Sequence, residues 1–80
     1  MLEKELVGKD EGKSIYRYGD FIYRVEGKTP MYARNVHRVT RIAGDWPTDD
    51  ELVQLVDDAP FGGRVHYLNG NEADVSVHTD

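Results

Sequence analysis

The chain is 80 residues long, which bounds it to one domain; a domain of this size buries only about 60% of the surface its unfolded form exposes. It has no cysteine, which excludes disulfides, thiolate metal sites and cysteine nucleophiles. The formal net charge is −5, a weak field for nucleic acid. The charged amino-terminal stretch MLEKELVGK lacks the apolar core of a signal peptide, and no run is long enough to span a bilayer, so a cytoplasmic, non-membrane protein is expected.

In chain order, Glu3–Gly8 reads as a short strand with Leu6 and Val7 as its apolar content, and Lys9–Gly12 reads as a turn. Ser14–Val25 reads as a hairpin about Gly19-Asp20, where a glycine at the first central position suits a type II′ turn. That turn pairs Tyr18 with Phe21 and Tyr16 with Tyr23, so four aromatic residues share one face and Ile15, Arg17, Ile22 and Arg24 share the other. Glu26–Lys28 reads as a further turn.

The segment 30–43 is ambiguous. At helical periodicity Met31, Tyr32, Val36, Val39, Ile42 and Ala43 gather on one side, with Arg34, His37, Arg38 and Arg41 on the other. Thr29, Pro30 and Gly44 are suitably placed as N-cap, first residue and stop. Against this, Val36, Val39, Thr40 and Ile42 are β-branched, which favours a strand. The spacing predicts a helix, with a strand as the alternative.

Trp46-Pro47 precedes the clearest element, a helix over 48–59. Thr48 and Glu51 have capping-box spacing. Leu52, Leu55, Val56 and Ala59 form an apolar stripe, and Pro60, Gly62 and Gly63 supply the stop. After it, Val65, Tyr67, Ala73, Val75 and Val77 share one parity, which a three-residue loop Asn69–Asn71 folds into a hairpin pairing Val65 with Val75 and Tyr67 with Ala73. The other face then carries Arg64, His66, Asp74, Ser76 and His78. The resulting fold class is α+β: an antiparallel sheet made of an amino-terminal meander and a carboxy-terminal hairpin, packed with one helix at about 48–59 and the ambiguous segment at about 30–43.

Charge is unevenly spread. Residues 1–42 hold nine Lys/Arg and six Asp/Glu, whereas 43–80 hold Arg64 alone against nine acids. Asp49, Asp50 and Glu51 fall in the first helical turn, where the helix dipole favours them; Asp57 and Asp58 fall in the last, where it opposes them by about 0.3–1 kcal/mol each. An acidic face of Asp49, Asp50, Gln54, Asp57 and Asp58, with Trp46 as a neighbouring anchor, is therefore the candidate protein-binding site, and the expected partner is another protein or a second copy of the chain. The alternative is an anion or nucleic-acid site on Arg34, Arg38 and Arg41, with Tyr16 and Tyr18 stacking on bases. His66, Asp74 and His78 form a third, weaker constellation for metal or acid–base chemistry. No phosphate loop, paired-histidine metal motif or nucleophile elbow is present, so neither a catalytic site nor a metal or other cofactor is expected.

Overall fold

The computed structural model of the chain describes residues 2–26, 29–31, 34–57 and 63–78. Its elements run β1 (Glu5–Asp10), β2 (Lys13–Tyr18), β3 (Phe21–Val25), β4 (Thr29–Met31), β5 (Arg34–Ala43), α1 (Asp49–Val56), β6 (Arg64–Tyr67) and β7 (Glu72–His78). The strands form one antiparallel sheet in the order β1-β2-β3-β5-β7-β6, with β4 pairing β5 beyond the end of β3. Glu26, one residue past β3, donates its N–H to the Arg38 carbonyl at 2.9 Å, so β3 and β4 line one side of β5 in succession. The fold is α+β: among the described residues, a single sheet with one helix on one face.

Both expected hairpins have the expected registers. Tyr16 faces Tyr23 and Tyr18 faces Phe21 across the Gly19-Asp20 turn, with Gly19 at φ +60°. Val65 faces Val75 and Tyr67 faces Ala73 across the Asn69–Asn71 loop. The first strand lies further along the chain than its composition suggested. Lys9 and Asp10 extend β1, and Glu11 and Gly12 alone make the turn, with φ of +53° and +81°. That is the backbone of a type I′ turn, unusual in having glutamate at a left-handed position.

The helix predicted over 30–43 is not formed; the segment supplies β4 and the ten-residue strand β5. β5 lies between β3 and β7, so its backbone groups are paired on both sides and its β-branched residues meet sheet neighbours. Asn35, His37 and Val39 alternate with Val36, Arg38 and Thr40 across the two faces. Ile42 then breaks the alternation, because Tyr23 faces Arg41 while Ile22 faces Ala43. No single apolar parity runs through the segment, because Val36 lies on the open face and Val39 on the face under α1, and the bulge then shifts the frame again. Gly44 ends the strand at φ +79°, where a Cβ would overlap the Asp20 carbonyl oxygen.

α1 begins as expected. Thr48 Oγ1 accepts from the Glu51 N–H and Glu51 Oε1 accepts from the Thr48 N–H, both at 3.2 Å. It ends earlier than expected, since Asp57 is already extended at φ −138°, ψ 117°. Ala59, Pro60 and Gly62, expected as the last contact and the stop signals, lie outside the described residues, as does Asp58. Leu52, Val53 and Leu55 are buried against Phe21, Tyr23, Val39, Val75 and Val77. Val53 broadens the predicted stripe. Gly63 is not a helix stop but the residue facing Val53, whose methyl groups occupy the space a Cβ would need.

Candidate functional site

The two faces of the sheet differ in chemistry. The face under α1 carries Tyr16, Tyr18, Tyr23, Val39, Val75 and Val77, the apolar core that positions the helix. The opposite face carries cross-strand ion pairs: Lys13 with Glu26 at 3.2 Å, Arg17 with Glu5 at 2.9 Å, Arg24 with Asp10 at 3.0 Å, and Arg38 with Glu72 at 3.7 Å and Asp74 at 2.5 Å. The Asp74 hydrogen bond raises the Arg38 pKa above its ordinary value.

This arrangement disperses the predicted arginine stripe. Arg38 lies on the open face, gripped by Asp74 and Glu72. Arg41 has the other parity and donates to the Gly70 carbonyl at 3.2 Å, the Gly44 carbonyl at 2.7 Å and Asn71 Oδ1 at 2.7 Å. The backbone of Arg34 pairs with that of His78 at the far end of β5. The stripe presupposed a helix, and a strand separates residues an odd number apart. Tyr16 and Tyr18 lie under α1 rather than on an outer platform. Tyr16 packs on Tyr23 at 5.7 Å and beneath the Lys4 ammonium at 4.8 Å, and the Tyr18 hydroxyl donates to Glu51 Oε2 at 2.6 Å.

In the carboxy-terminal hairpin His66 does face Asp74, but the Asp74 carboxylate is committed to Arg38. Among the described residues no group of three or more His, Asp or Glu side chains is gathered closely enough to hold a metal ion. A shallow groove of about 320 Å³ beside the carboxy-terminal end of α1 is lined by Lys4, Tyr16, Val25, His37, Leu55 and Val56, among others. Lys4 there donates to the Leu55 carbonyl at 2.5 Å, which neutralises part of the negative end of the helix.

The helix itself is asymmetric. Its side over β2 is tied down by the Tyr18–Glu51 bond, and its side over β6 by the Tyr67 hydroxyl, which donates to Asp49 Oδ1 at 3.0 Å. Burial, then the hydrogen bond and charge of Asp49, hold the Tyr67 hydroxyl above its ordinary pKa. Between these ties, Asp50 is exposed and Gln54 half-buried, and Asp57, itself engaged, follows one turn on. Trp46 is not an outward anchor. Its ring packs on Phe21 at 5.3 Å and edge-on to Tyr67 at 5.2 Å, and its indole N–H donates to the Gly70 carbonyl at 2.9 Å. Sequence reasoning missed Tyr67 and Leu68, which remain 41% and 42% exposed at the end of β6. The signal for them was the placement of two apolar residues next to a polar turn on an edge strand.

No family model, curated protein or solved structure matches this chain. Among the described residues no helix is long and apolar enough to cross a membrane.

Proposed function

We propose that this chain is a small non-enzymatic binding module that engages a basic surface of another protein through the outer face of α1. The segregation of charge supports this reading. Lys13, Arg17, Arg24 and Arg38 meet their carboxylates on the open face of the sheet, and none of those ion pairs draws on Asp49, Asp50 or Glu51. The first turn of α1 contains only carboxylates, and its last turn contains no basic residue. The negative field of the helix layer is therefore left for an external cation, and such a field raises the rate at which a basic partner finds the site. Asp49 and Asp50 are exposed, and Gln54 is half-buried one turn on.

The test is retention of basic proteins on the immobilised chain at about 50 mM salt and their release at about 500 mM, where screening shortens the reach of surface charge to a few ångströms. The double variant Asp49→Lys/Asp50→Lys abolishes retention and Arg38→Ala leaves it unchanged. Retention that survives the charge reversal, or that depends on Arg38, refutes the reading. The alternative anion or nucleic-acid site has no comparable support, because Arg38 and Arg41 are separated and already hydrogen-bonded.

A further inference from the structure

We infer that the partner's basic segment docks as an added strand on the outer edge of β6, beneath the acidic flank of α1; this rests on the acidic-face reading above and specifies how it is used.

The backbone of β6 is the first observation. Among the described residues β6 is the last strand of the sheet and pairs only with β7. Leu68 donates its N–H to the Glu72 carbonyl at 2.9 Å, making Leu68 and Glu72 a hydrogen-bonded pair. Antiparallel ladders alternate hydrogen-bonded and non-hydrogen-bonded pairs. His66 opposite Asp74 and Arg64 opposite Ser76 are therefore the next bonded pairs, and Tyr67 and Val65 are the unbonded ones. The N–H and C=O groups of Val65 and Tyr67 consequently point away from the sheet, and no described residue hydrogen-bonds to them. This row of unpaired groups is a template for strand addition.

The two edges of the sheet are not equivalent. β1, at the other end, is bulged between Leu6 and Gly8, a distortion that disrupts pairing along an edge. β6 has an unbroken register; both edges expose apolar side chains, Tyr67 and Leu68 beside β6 and Leu6 and Val7 on β1, so the register is what sets β6 apart.

The chemistry of the occupant follows from the side chains on either side of the edge. On the helix side, Val65 and Tyr67 lie beside Asp49 and Val53, with Tyr67 bonded to Asp49 and Gly63 against Val53. On the open side stand the exposed residues Arg64 and His66. An incoming strand alternates its side chains between the same two sides. The fitting segment therefore places lysine, arginine or aliphatic residues at every second position, toward α1, and uncharged or acidic residues at the positions between. A second copy of this chain is a poor occupant, because pairing β6 with β6 brings Arg64 and His66 toward their own copies.

The probe is the peptide acetyl-Lys-Thr-Lys-Thr-Val-Thr-Lys-amide, set against the same peptide N-methylated at alternate amides, which keeps every charge but cannot complete a ladder on one side. The unmethylated peptide slows hydrogen exchange at the Val65 and Tyr67 amides by about tenfold or more at saturation and shifts the fluorescence of Trp46, the only tryptophan, which packs against Tyr67. The methylated peptide does neither. If both peptides bind equally, with exchange at Val65 and Tyr67 unchanged and NMR shifts confined to α1, strand addition is overturned while the acidic-face reading stands. If neither peptide binds at about 50 mM salt, both are overturned. Light scattering that finds a dimer whose β6 amides are already protected also overturns the inference, in favour of a second copy as the occupant.

Discussion

The Tyr18 hydroxyl donates to Glu51 Oε2 at 2.6 Å, while the other oxygen of the same carboxylate accepts from both the backbone N–H and the hydroxyl of Thr48. One side chain thus caps the helix and fastens its first turn to β2. The Tyr18 bond, followed by those from Thr48, holds the Glu51 pKa below its ordinary 4.5. The same bond, together with burial and the Glu51 charge, raises the Tyr18 pKa above 10.0. A depressed carboxylate contributes stability that is present above its unfolded value and lost as pH falls through the folded one. A raised phenol contributes stability that is present below its unfolded value and lost as pH rises through the folded one. The difference in Tm between wild type and Tyr18→Phe is therefore widest between pH 5 and about pH 9.5 and closes at both extremes. A difference that is constant with pH would show that Tyr18 acts through packing alone.

The β1–β2 turn holds Glu11 at φ +53°, a region that costs a residue with a Cβ roughly 1–2 kcal/mol. No hydrogen bond or ion pair of Glu11 offsets this among the described residues. Glu11→Asn, which gives the turn an Asn-Gly pair, raises stability by about 1 kcal/mol. Urea denaturation should show a higher midpoint with an unchanged slope.

Gly63 and Val53 occupy one space. Gly63→Ala forces the Val53 methyl groups aside and lowers stability by about 1–3 kcal/mol, the usual cost of overpacking. Val53→Ala in the same background makes room for the new methyl, so the double variant is more stable than the sum of the two single effects predicts. Additivity within about 0.3 kcal/mol would separate the two sites.

Leu55 is 1% exposed and is surrounded by the aromatic and valine side chains of the sheet. Leu55→Ala costs about 2–5 kcal/mol, and Leu55→Asp leaves the domain unfolded because a carboxylate there has no water or partner. Far-ultraviolet circular dichroism distinguishes the two. A soluble, native-like Leu55→Asp would remove α1 from the core.

Much of this architecture was legible in the sequence because it is local. The Gly19-Asp20 turn fixes which aromatics face one another, the parity of Val65 through Val77 fixes the second hairpin, and Thr48 with Glu51 fixes the start of α1. The identity of β5 was not legible, since only the three-residue β4 pairs with it locally while β3 and β7 lie further off, and its valines Val36 and Val39 fall on opposite faces. Once β5 is a strand, Arg38 and Arg41 separate, and the arginine site inferred from a helix loses its geometry. The acidic first turn of α1, Asp49, Asp50 and Glu51, was legible as composition. Its relation to β6 was not, because it depends on which backbone groups of Val65 and Tyr67 point outward.

The placement of β5 also governs how this chain reaches its structure. The meander β1–β3 and the hairpin β6–β7 each close through short turns, and β5 joins them, pairing with β3 and, through Arg34–Thr40, with Glu72–His78. Everything from Arg41 to Asn71, the helix included, is a loop whose ends must meet before that pairing forms. Such non-local closure sets the pace of folding in β-rich domains. Until it happens, the inward edges of β5 and β7 are both unsheltered, and crowding or high concentration during that interval favours exchange of the carboxy-terminal hairpin between two chains.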